Sequence, residues 1–192
     1  MATGSNQPPN SVKSRFMNIS PFPEAAPDFS KPLALLRACH ERILHNCNTL
    51  ERLLEHLQQH DLDSDARQAA GKIHRYFSTA GQFHHQDEEQ DLFPLLARQS
   101  LKLADRVHRL RQEHNQMDAL WQQLAPLLAK PANITDLAAF ASLVEKFTTS
   151  YRNHIAFENE EVLEMAEHIL SRDAQKKLGA KMAERRGQPA PL

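Results

Sequence analysis

Residues 83–95 read FHHQDEEQDLFPL and contain a His-x-x-x-Glu motif at His84 and Glu88. A second copy of this motif stands at His154 and Glu158. Each copy lies on the apolar stripe of a helical pattern, and the four-residue spacing directs both side chains toward one point. An imidazole or a carboxylate that faces a protein core costs free energy unless it finds a partner. The two motifs therefore indicate metal ligands inside a helical protein.

Apolar residues recur in steps of three and four along four long segments, which is the period of an amphipathic helix. These segments predict helices with the approximate bounds 33–60, 65–98, 101–129 and 134–170. A fifth, shorter helix is predicted over about 172–186, ending at Gly187. Short links force neighbouring helices to reverse direction. The sequence therefore predicts an all-α, up-down-up-down antiparallel four-helix bundle with a short C-terminal helix.

Prolines and capping residues predict where these helices begin, bend or end. Pro32 suits the first turn of the first helix, with Ser30 as its cap. The aspartate-rich turn at 61–65 is expected to cap the second helix. Pro94 predicts a kink or an early end in the second helix, and Pro126 predicts a disturbed last turn in the third.

The chain has 192 residues, which is enough for one domain with a sizeable core. Six of its eleven prolines lie in the first 32 residues. We therefore expect a disordered or extended lead over residues 1–30. The bundle and its C-terminal helix are expected over residues 31–187, and a tail over 188–192.

Composition and charge argue against several classes of partner. The formal net charge of -1 argues against nonspecific binding to nucleic acid and against polybasic attachment to a membrane. The sequence shows neither a secretory signal nor an apolar stretch of about 18 residues, so the expected location is the cytoplasm. Cys39 and Cys47 lie roughly 80° apart around one helix and are expected to be free thiols. A homodimer is kept as a hypothesis.

Every one of the four long predicted helices carries a histidine on its inner stripe, and two of them add a glutamate one turn later. The six candidate ligands are His40, His84, Glu88, His114, His154 and Glu158. Such a set suits two divalent ions, with two imidazoles for each and with both glutamates able to bridge them. Nitrogen and carboxylate ligands in this mixture suit iron or manganese, and also zinc. Open coordination positions would remain for oxygen, peroxide or nitric oxide.

Plain core packing is the alternative interpretation, because a single histidine on an apolar face is more often a hydrogen-bonded core residue than a ligand. Four imidazoles and two carboxylates in one layer would then all need partners. His85 is left open as a ligand or as a hydrogen-bond partner of a ligand, and Asp118 is a weaker candidate. Tyr151 could donate a hydrogen bond to a bound oxygen species.

The other polar residues near the motifs are interpreted as solvated. The acidic run of Asp87, Glu89 and Asp91 is expected to form a wet helix face. Trp121 is expected to pack in the core. The remaining histidines are expected at the rim or the surface: His45, His56, His60, His74, His108 and His168.

Four parts of the sequence together resemble a known family: His40, FHHQDEEQDLFP at 83–94, the pair Glu113-His114, and HIAFE at 154–158. They look like the hemerythrin-like family of cation-binding domains. Residues 33–43 and 182–187 also look like bacterial members of the family, so the resemblance covers about residues 31–187. It implies a four-helix bundle with a non-haem di-iron centre, in which two iron ions share an oxo or hydroxo bridge. The family's bridging carboxylates fall on Glu88 and Glu158.

This chain departs from the oxygen-carrying hemerythrins at two motifs. Those proteins have His-x-x-x-His on the third helix, where this chain has His114 and Asp118. They have His-x-x-x-x-Asp on the fourth helix, where this chain has His154 and Glu158. One ion thus lacks an imidazole, which argues against simple reversible oxygen carriage. A smaller departure is Glu-Met at residues 164–165, where many relatives have Phe-Pro.

Three functions follow as hypotheses. The favoured one is a non-enzymatic di-iron protein that binds or senses oxygen or nitric oxide, or that handles iron. The second is a di-iron redox enzyme that reduces nitric oxide or peroxide, or repairs iron-sulfur clusters as some family members do. The third is a structural bundle with zinc or no metal. A ferritin-like bundle is set aside, because it needs Glu-x-x-His pairs on two helices and only Asp105 and His108 have that spacing.

Overall fold

The computed structural model describes residue 1 and residues 28–99 and 101–190. Most of the predicted N-terminal lead lies outside these described residues, as does the end of the predicted tail. Within the described residues the chain forms five helices. The three uninterrupted helices are α1 (Pro32–Gln59), α3 (Leu101–Ala129) and α5 (Arg172–Arg185). Helix α2 consists of Ser64–Ser78, Ala80–Asp87, a π turn at Glu88–Leu92, and Phe93–Ala97. Helix α4 consists of Leu137–Glu158, a π turn at Asn159–Leu163, and Glu164–Ile169.

The first four helices form a closed ring in which α1 and α3 each pack against both α2 and α4. Two apolar clusters fill the ring, one at each end. The proximal cluster lies at the end covered by α5 and includes Leu36, Phe93, Leu110, Val162 and Met182. The distal cluster fills the other end and includes Ile43, Phe77, Met117, Trp121 and Phe147.

The order of these clusters along the chain fixes the direction of each helix. Both α1 and α3 run from the proximal cluster to the distal one, whereas α2 and α4 run back. The antiparallel up-down-up-down bundle and its C-terminal helix are therefore confirmed. No helix in the described parts of the chain is long and apolar enough to cross a membrane.

Helix α5 packs across the proximal end of the bundle, where Leu178 and Met182 are fully buried. The backbone of α5 lies close to that of Phe29 at Gly179, where a Cβ atom would stand only 1.9 Å from the carbonyl oxygen of Phe29. Only glycine permits this approach. The helix ends as predicted, with Gly187 at a φ of 63°. A positive φ at this position lets backbone N–H groups donate to the last carbonyl groups of the helix, and glycine adopts it without steric cost.

Two of the predictions about helix starts have different outcomes. Asp63 caps α2, because its side chain accepts a hydrogen bond from the backbone N–H of Ala66, as predicted for the aspartate-rich turn. The predicted Ser30 cap on α1 is wrong. Lys31 occupies the cap position without a side-chain hydrogen bond, and the backbone N–H of Ser30 instead donates to Asp28 Oδ1 at 2.8 Å.

Neither internal proline ends its helix. Pro126 lies inside a continuous α3, so the predicted disturbance of its last turn is wrong. Pro94 stands in the first turn of the segment Phe93–Ala97, directly after the π turn of α2, where its missing N–H costs little. The irregularity predicted near Pro94 is thus a π turn through which the helix continues. A further break at Thr79 was not predicted.

Candidate metal centre

A polar layer separates the two apolar clusters and contains all six predicted ligands. These residues are at most 3% exposed, and they are His40 from α1, His84 and Glu88 from α2, His114 from α3, and His154 and Glu158 from α4. Their nitrogen and oxygen atoms form two groups, each within 4.8 Å, that share Glu88. The helical period therefore brings the six residues to one level of the bundle.

The first group lies between α1, α2 and α4. Ligand atoms held about 2.1 Å from one ion stand about 3 to 4 Å from one another. His84 Nε2 lies 3.0 Å from Glu88 Oε1, and His40 Nε2 lies 3.2 Å from Glu158 Oε2. His40 Nε2 is also 3.7 Å from Glu88 Oε1. These separations fit a single divalent ion among the four side chains.

The second group lies between α2, α3 and α4. His114 Nε2 stands 3.1 Å from His154 Nε2 and 3.4 Å from Glu88 Oε2. His154 Nε2 is 3.5 Å from Glu158 Oε2. Glu88 therefore turns one oxygen toward each group, and Glu158 Oε2 faces a histidine of each. This is the arrangement that two ions bridged by carboxylates require.

The hydrogen bonds of the second group show why it suits a cation. His114 Nδ1 donates to Glu89 Oε1 at 2.8 Å, and His154 Nδ1 donates to Glu113 Oε2 at 2.9 Å. A neutral imidazole carries one N–H, so both Nε2 atoms then present lone pairs. Two lone pairs that face each other at 3.1 Å need a proton or a metal ion between them.

Several atoms of the layer have no hydrogen-bond partner of suitable geometry among the residues that the structure describes. They are both carboxylate oxygens of Glu88 and of Glu158, together with Nε2 of His40 and of His84. Buried polar atoms without partners are costly in a protein interior. Because the unpartnered atoms are the ones that face the centre, metal ions would satisfy them together. Plain core packing, with a partner for every polar group, does not describe this layer.

An outer set of partners orients three of the four imidazoles in a repeating pattern. Glu89 follows Glu88 on α2 and binds the histidine of α3, while Glu113 precedes His114 on α3 and binds the histidine of α4. Asn159 follows the glutamate of α4 and accepts from His40 Nδ1 at 2.8 Å. Such partners fix the orientation of a metal-ligating imidazole. His84 Nδ1, by contrast, has no hydrogen-bond partner in the described part of the chain.

The carboxylates set the charge state of the metal-free layer. Burial opposes a charged imidazole, but Glu158 and Glu88 outweigh it and raise the pKa of His40 to about 10. Burial likewise opposes protonation of His114, but Glu88 and Glu89 raise its pKa to about 10. His84 differs, because burial lowers its pKa to about 3. Burial also opposes a charged His154, but Glu113 and Glu158 raise its pKa above the ordinary value. At pH 7 the metal-free layer therefore holds protons on His40 and His114, and His154 takes up a proton more readily than a free imidazole.

Uptake of divalent ions at pH 7 is expected to release about two protons or more per chain, one each from His40 and His114 with a further contribution from His154, because a ligating imidazole must be neutral. His84 contributes none, since it is already neutral. Metal affinity should therefore rise with pH from neutral toward about 10, where these protons are lost without metal. Calorimetric titration with zinc in buffers of different ionisation enthalpy measures the release. The exposed variant His168→Ala should release the same number, and a heat independent of the buffer would contradict the prediction.

Both His-x-x-x-Glu motifs lead directly into a π turn. One turn begins at Glu88 and the other at Asn159, one residue after Glu158. The second turn forms without a proline, so Pro94 alone does not explain the first. π turns occur frequently at functional sites because they add one residue to a helical turn and redirect the side chains beside it.

Two residues that were left open as ligands lie outside the two groups. His85 stacks on His114, with ring centroids 4.1 Å apart and an angle of 17° between the planes. The side chain of Asp118 is 51% exposed, and its Oδ1 lies 3.8 Å from His85 Nδ1. Tyr151 is buried in the distal cluster, one turn before His154, and stacks at 5.9 Å on His85. Asp118 therefore does not replace the imidazole missing from α3.

The interpretation of the acidic run on α2 as a wet helix face is wrong for two of its members. Asp87 is completely buried and Asp91 is 6% exposed. Asp87 pairs with Arg185 and with Arg186, and Asp91 pairs with Arg185 at 2.6 Å. The acidic face of α2 is covered because α5 packs against it. The helical period of α2 alone could not reveal this contact, although the basic residues of α5 were a signal.

Comparison with known proteins agrees with this geometry. The model of the hemerythrin HHE cation-binding domain family matches residues 31–166. An uncharacterised protein of Haemophilus influenzae is 29% identical over 164 residues, which cover 85% of this chain and 95% of that protein. The matched region contains α1 to α3, nearly all of α4, and both groups of buried histidines and glutamates. The chain therefore belongs to the hemerythrin HHE cation-binding domain family.

Proposed function

We propose that the chain holds two iron ions in the polar layer and that they bind a small diatomic molecule, oxygen or nitric oxide. The observation that carries the proposal is the position of Glu88, whose Oε1 and Oε2 face different histidine pairs. Imidazole and carboxylate ligands, in a layer without thiolates, suit iron. Zinc and manganese are compatible with the same ligands and are distinguished by the experiment below.

Each part of the layer has a role in this function. Four imidazole nitrogens and two carboxylates do not fill the coordination of two six-coordinate ions, so positions stay open to a small ligand. Bound iron would supply a redox-active Lewis acid at those positions. Glu89, Glu113 and Asn159 hold three imidazoles in the orientation that directs Nε2 inward. The apolar clusters on both sides keep bulk water from the layer.

Metal content and ligand binding test this proposal together. Protein produced with supplemented iron should contain two irons per chain and should show charge-transfer absorption that changes on addition of oxygen, nitric oxide or azide. The variant His154→Ala should lose metal, whereas His168→Ala, on the exposed end of the same helix, should not. One zinc per chain, or iron without any spectral response, would contradict the proposal. Repeated turnover of nitric oxide or peroxide with a reductant would instead identify a redox enzyme.

A further inference from the structure

His85 is a second imidazole on α2, next to the candidate ligand His84, and it has no assigned role. Its side chain is 12% exposed. Its Nε2 atom is buried and has no hydrogen-bond partner within residues 28–99 and 101–190, and its Nδ1 atom is 3.8 Å from Asp118 Oδ1, beyond hydrogen-bond distance. A buried nitrogen without a partner costs free energy in the folded chain. A bound ligand that forms a hydrogen bond with Nε2 would remove this cost.

The orientation of the ring argues against direct coordination. A metal ion lies close to the plane of each imidazole that binds it, because the nitrogen lone pair lies in that plane. The rings of His85 and His114 are nearly parallel, at 17°, with centroids 4.1 Å apart. An ion in the plane of His114 therefore lies roughly one stacking distance outside the plane of His85. The two rings cannot both bind the same ion in this arrangement.

His85 nevertheless borders the smaller of the two groups, which has three members whereas the first group has four. Its ring centroid lies 6.5 Å from that of His154, in addition to its contact with His114. The second group consists of these two histidines and Glu88, because the exposed side chain of Asp118 does not enter it. A non-protein ligand on this ion would therefore occupy a position close to the ring of His85.

We propose that His85 Nε2 forms a hydrogen bond to a small anion bound at the second ion, and so sets the affinity of this subsite for anions. The inference rests on the proposed function, since it needs an ion at His114 and His154. Asp118 Oδ1 lies 3.8 Å from Nδ1, too far for a hydrogen bond that would fix the proton on that atom, so a bound anion can draw the single proton to Nε2 and accept it there. His85 is thus a specificity-determining residue and not a metal ligand.

Azide binding to the iron-loaded chain tests the proposal, with metal content as a second readout. His85→Phe keeps an aromatic ring that can stack on His114 but removes the nitrogen, and it should weaken azide binding about tenfold while two irons remain. His85→Gln places an amide nitrogen near the Nε2 position and should restore part of the affinity. His168→Phe, the same substitution at an exposed histidine on α4, serves as the matched control and should leave azide binding unchanged.

Each other outcome overturns a specific step. Loss of one iron in His85→Phe would show that His85 is a ligand. Equal azide affinity in His85→Phe and in the unaltered chain would show that Nε2 does not contact the anion. If the unaltered chain binds no iron, the proposed function and this inference both fall, whereas iron-loaded chain that responds to oxygen or nitric oxide but not to azide overturns this inference alone. A failure confined to the variants overturns only the role of His85.

Discussion

Replacing Glu88 with alanine is expected to abolish the uptake of both ions, because its two oxygens serve both histidine groups. Oε1 stands 3.0 Å from His84 Nε2 and Oε2 stands 3.4 Å from His114 Nε2. Loss of an outer partner of a ligand alone costs about ten- to a hundredfold in metal affinity. Loss of a residue shared by two sites should therefore cost more than about a hundredfold at each.

The isosteric variant Glu88→Gln separates charge from packing. It keeps the volume of the buried side chain, so the bundle should fold, while the neutral amide cannot bridge two cations. Metal content should fall from two ions per chain to fewer than one. The metal-linked rise in Tm should disappear, since only binding to the folded chain produces it.

The matched control is Glu145→Gln, a change of the same type on the exposed side of α4. It should retain both ions and the full metal-linked rise in Tm. Two ions per chain in Glu88→Gln would contradict the bridging role. One ion per chain would assign Glu88 to a single site.

The placement of the six residues could be predicted because it depends on one helix at a time. A histidine on an apolar stripe, at the period of that stripe, must face the core whatever packs against it. His40 and His114 follow this rule as well as the paired motifs do, and all four imidazoles meet in one layer. The antiparallel order was predictable for a similar reason, since short links leave neighbouring helices no other direction.

Features that depend on contacts between helices were harder to predict. Glu89 and Glu113 each stand beside a candidate ligand in sequence, about 100° around the helix from it, and so face the next helix. A polar residue at that offset was a usable signal. The π turns were not foreseeable from Pro94, because the turn at 159–163 forms without a proline. The burial of Asp87 was not predicted, because its partners Arg185 and Arg186 lie at the end of α5 and directly after it, about 100 residues later.

Removing the two arginines that pair with Asp87 is expected to destabilise the chain strongly. Arg186 Nη2 lies 2.6 Å from Asp87 Oδ2, and Arg185 pairs with the other oxygen of the same carboxylate. Burial raises the pKa of Asp87 above its ordinary value even in the presence of both guanidinium groups. The double variant Arg185→Ala and Arg186→Ala leaves this carboxylate buried without a counterion. Breaking a buried ion pair in this way costs about 3–5 kcal/mol.

Urea denaturation of the metal-free chain measures this cost, and two variants control for it. Lys181→Ala removes an ion pair with Asp91 from the same face of α5, but the lysine side chain is 60% exposed. Asp91 keeps Arg185 as its counterion at 2.6 Å, and a pair made by an exposed lysine contributes at most about 1 kcal/mol, so this variant should remain close to the unaltered chain. Adding Asp87→Asn to the double variant removes the unpaired charge and should recover part of the lost free energy of unfolding.

The pH dependence of this effect distinguishes a charge contact from simple packing. Without the arginines, the pKa of Asp87 rises further in the folded chain while the unfolded value stays ordinary. At pH 7 the folded state then carries an unpaired carboxylate, whereas at a pH below the raised pKa it carries a neutral acid that needs no counterion. The cost of the double variant should therefore be smaller at pH 5 than at pH 7. An equal cost at both pH values would show that the arginines act by packing α5 onto the bundle.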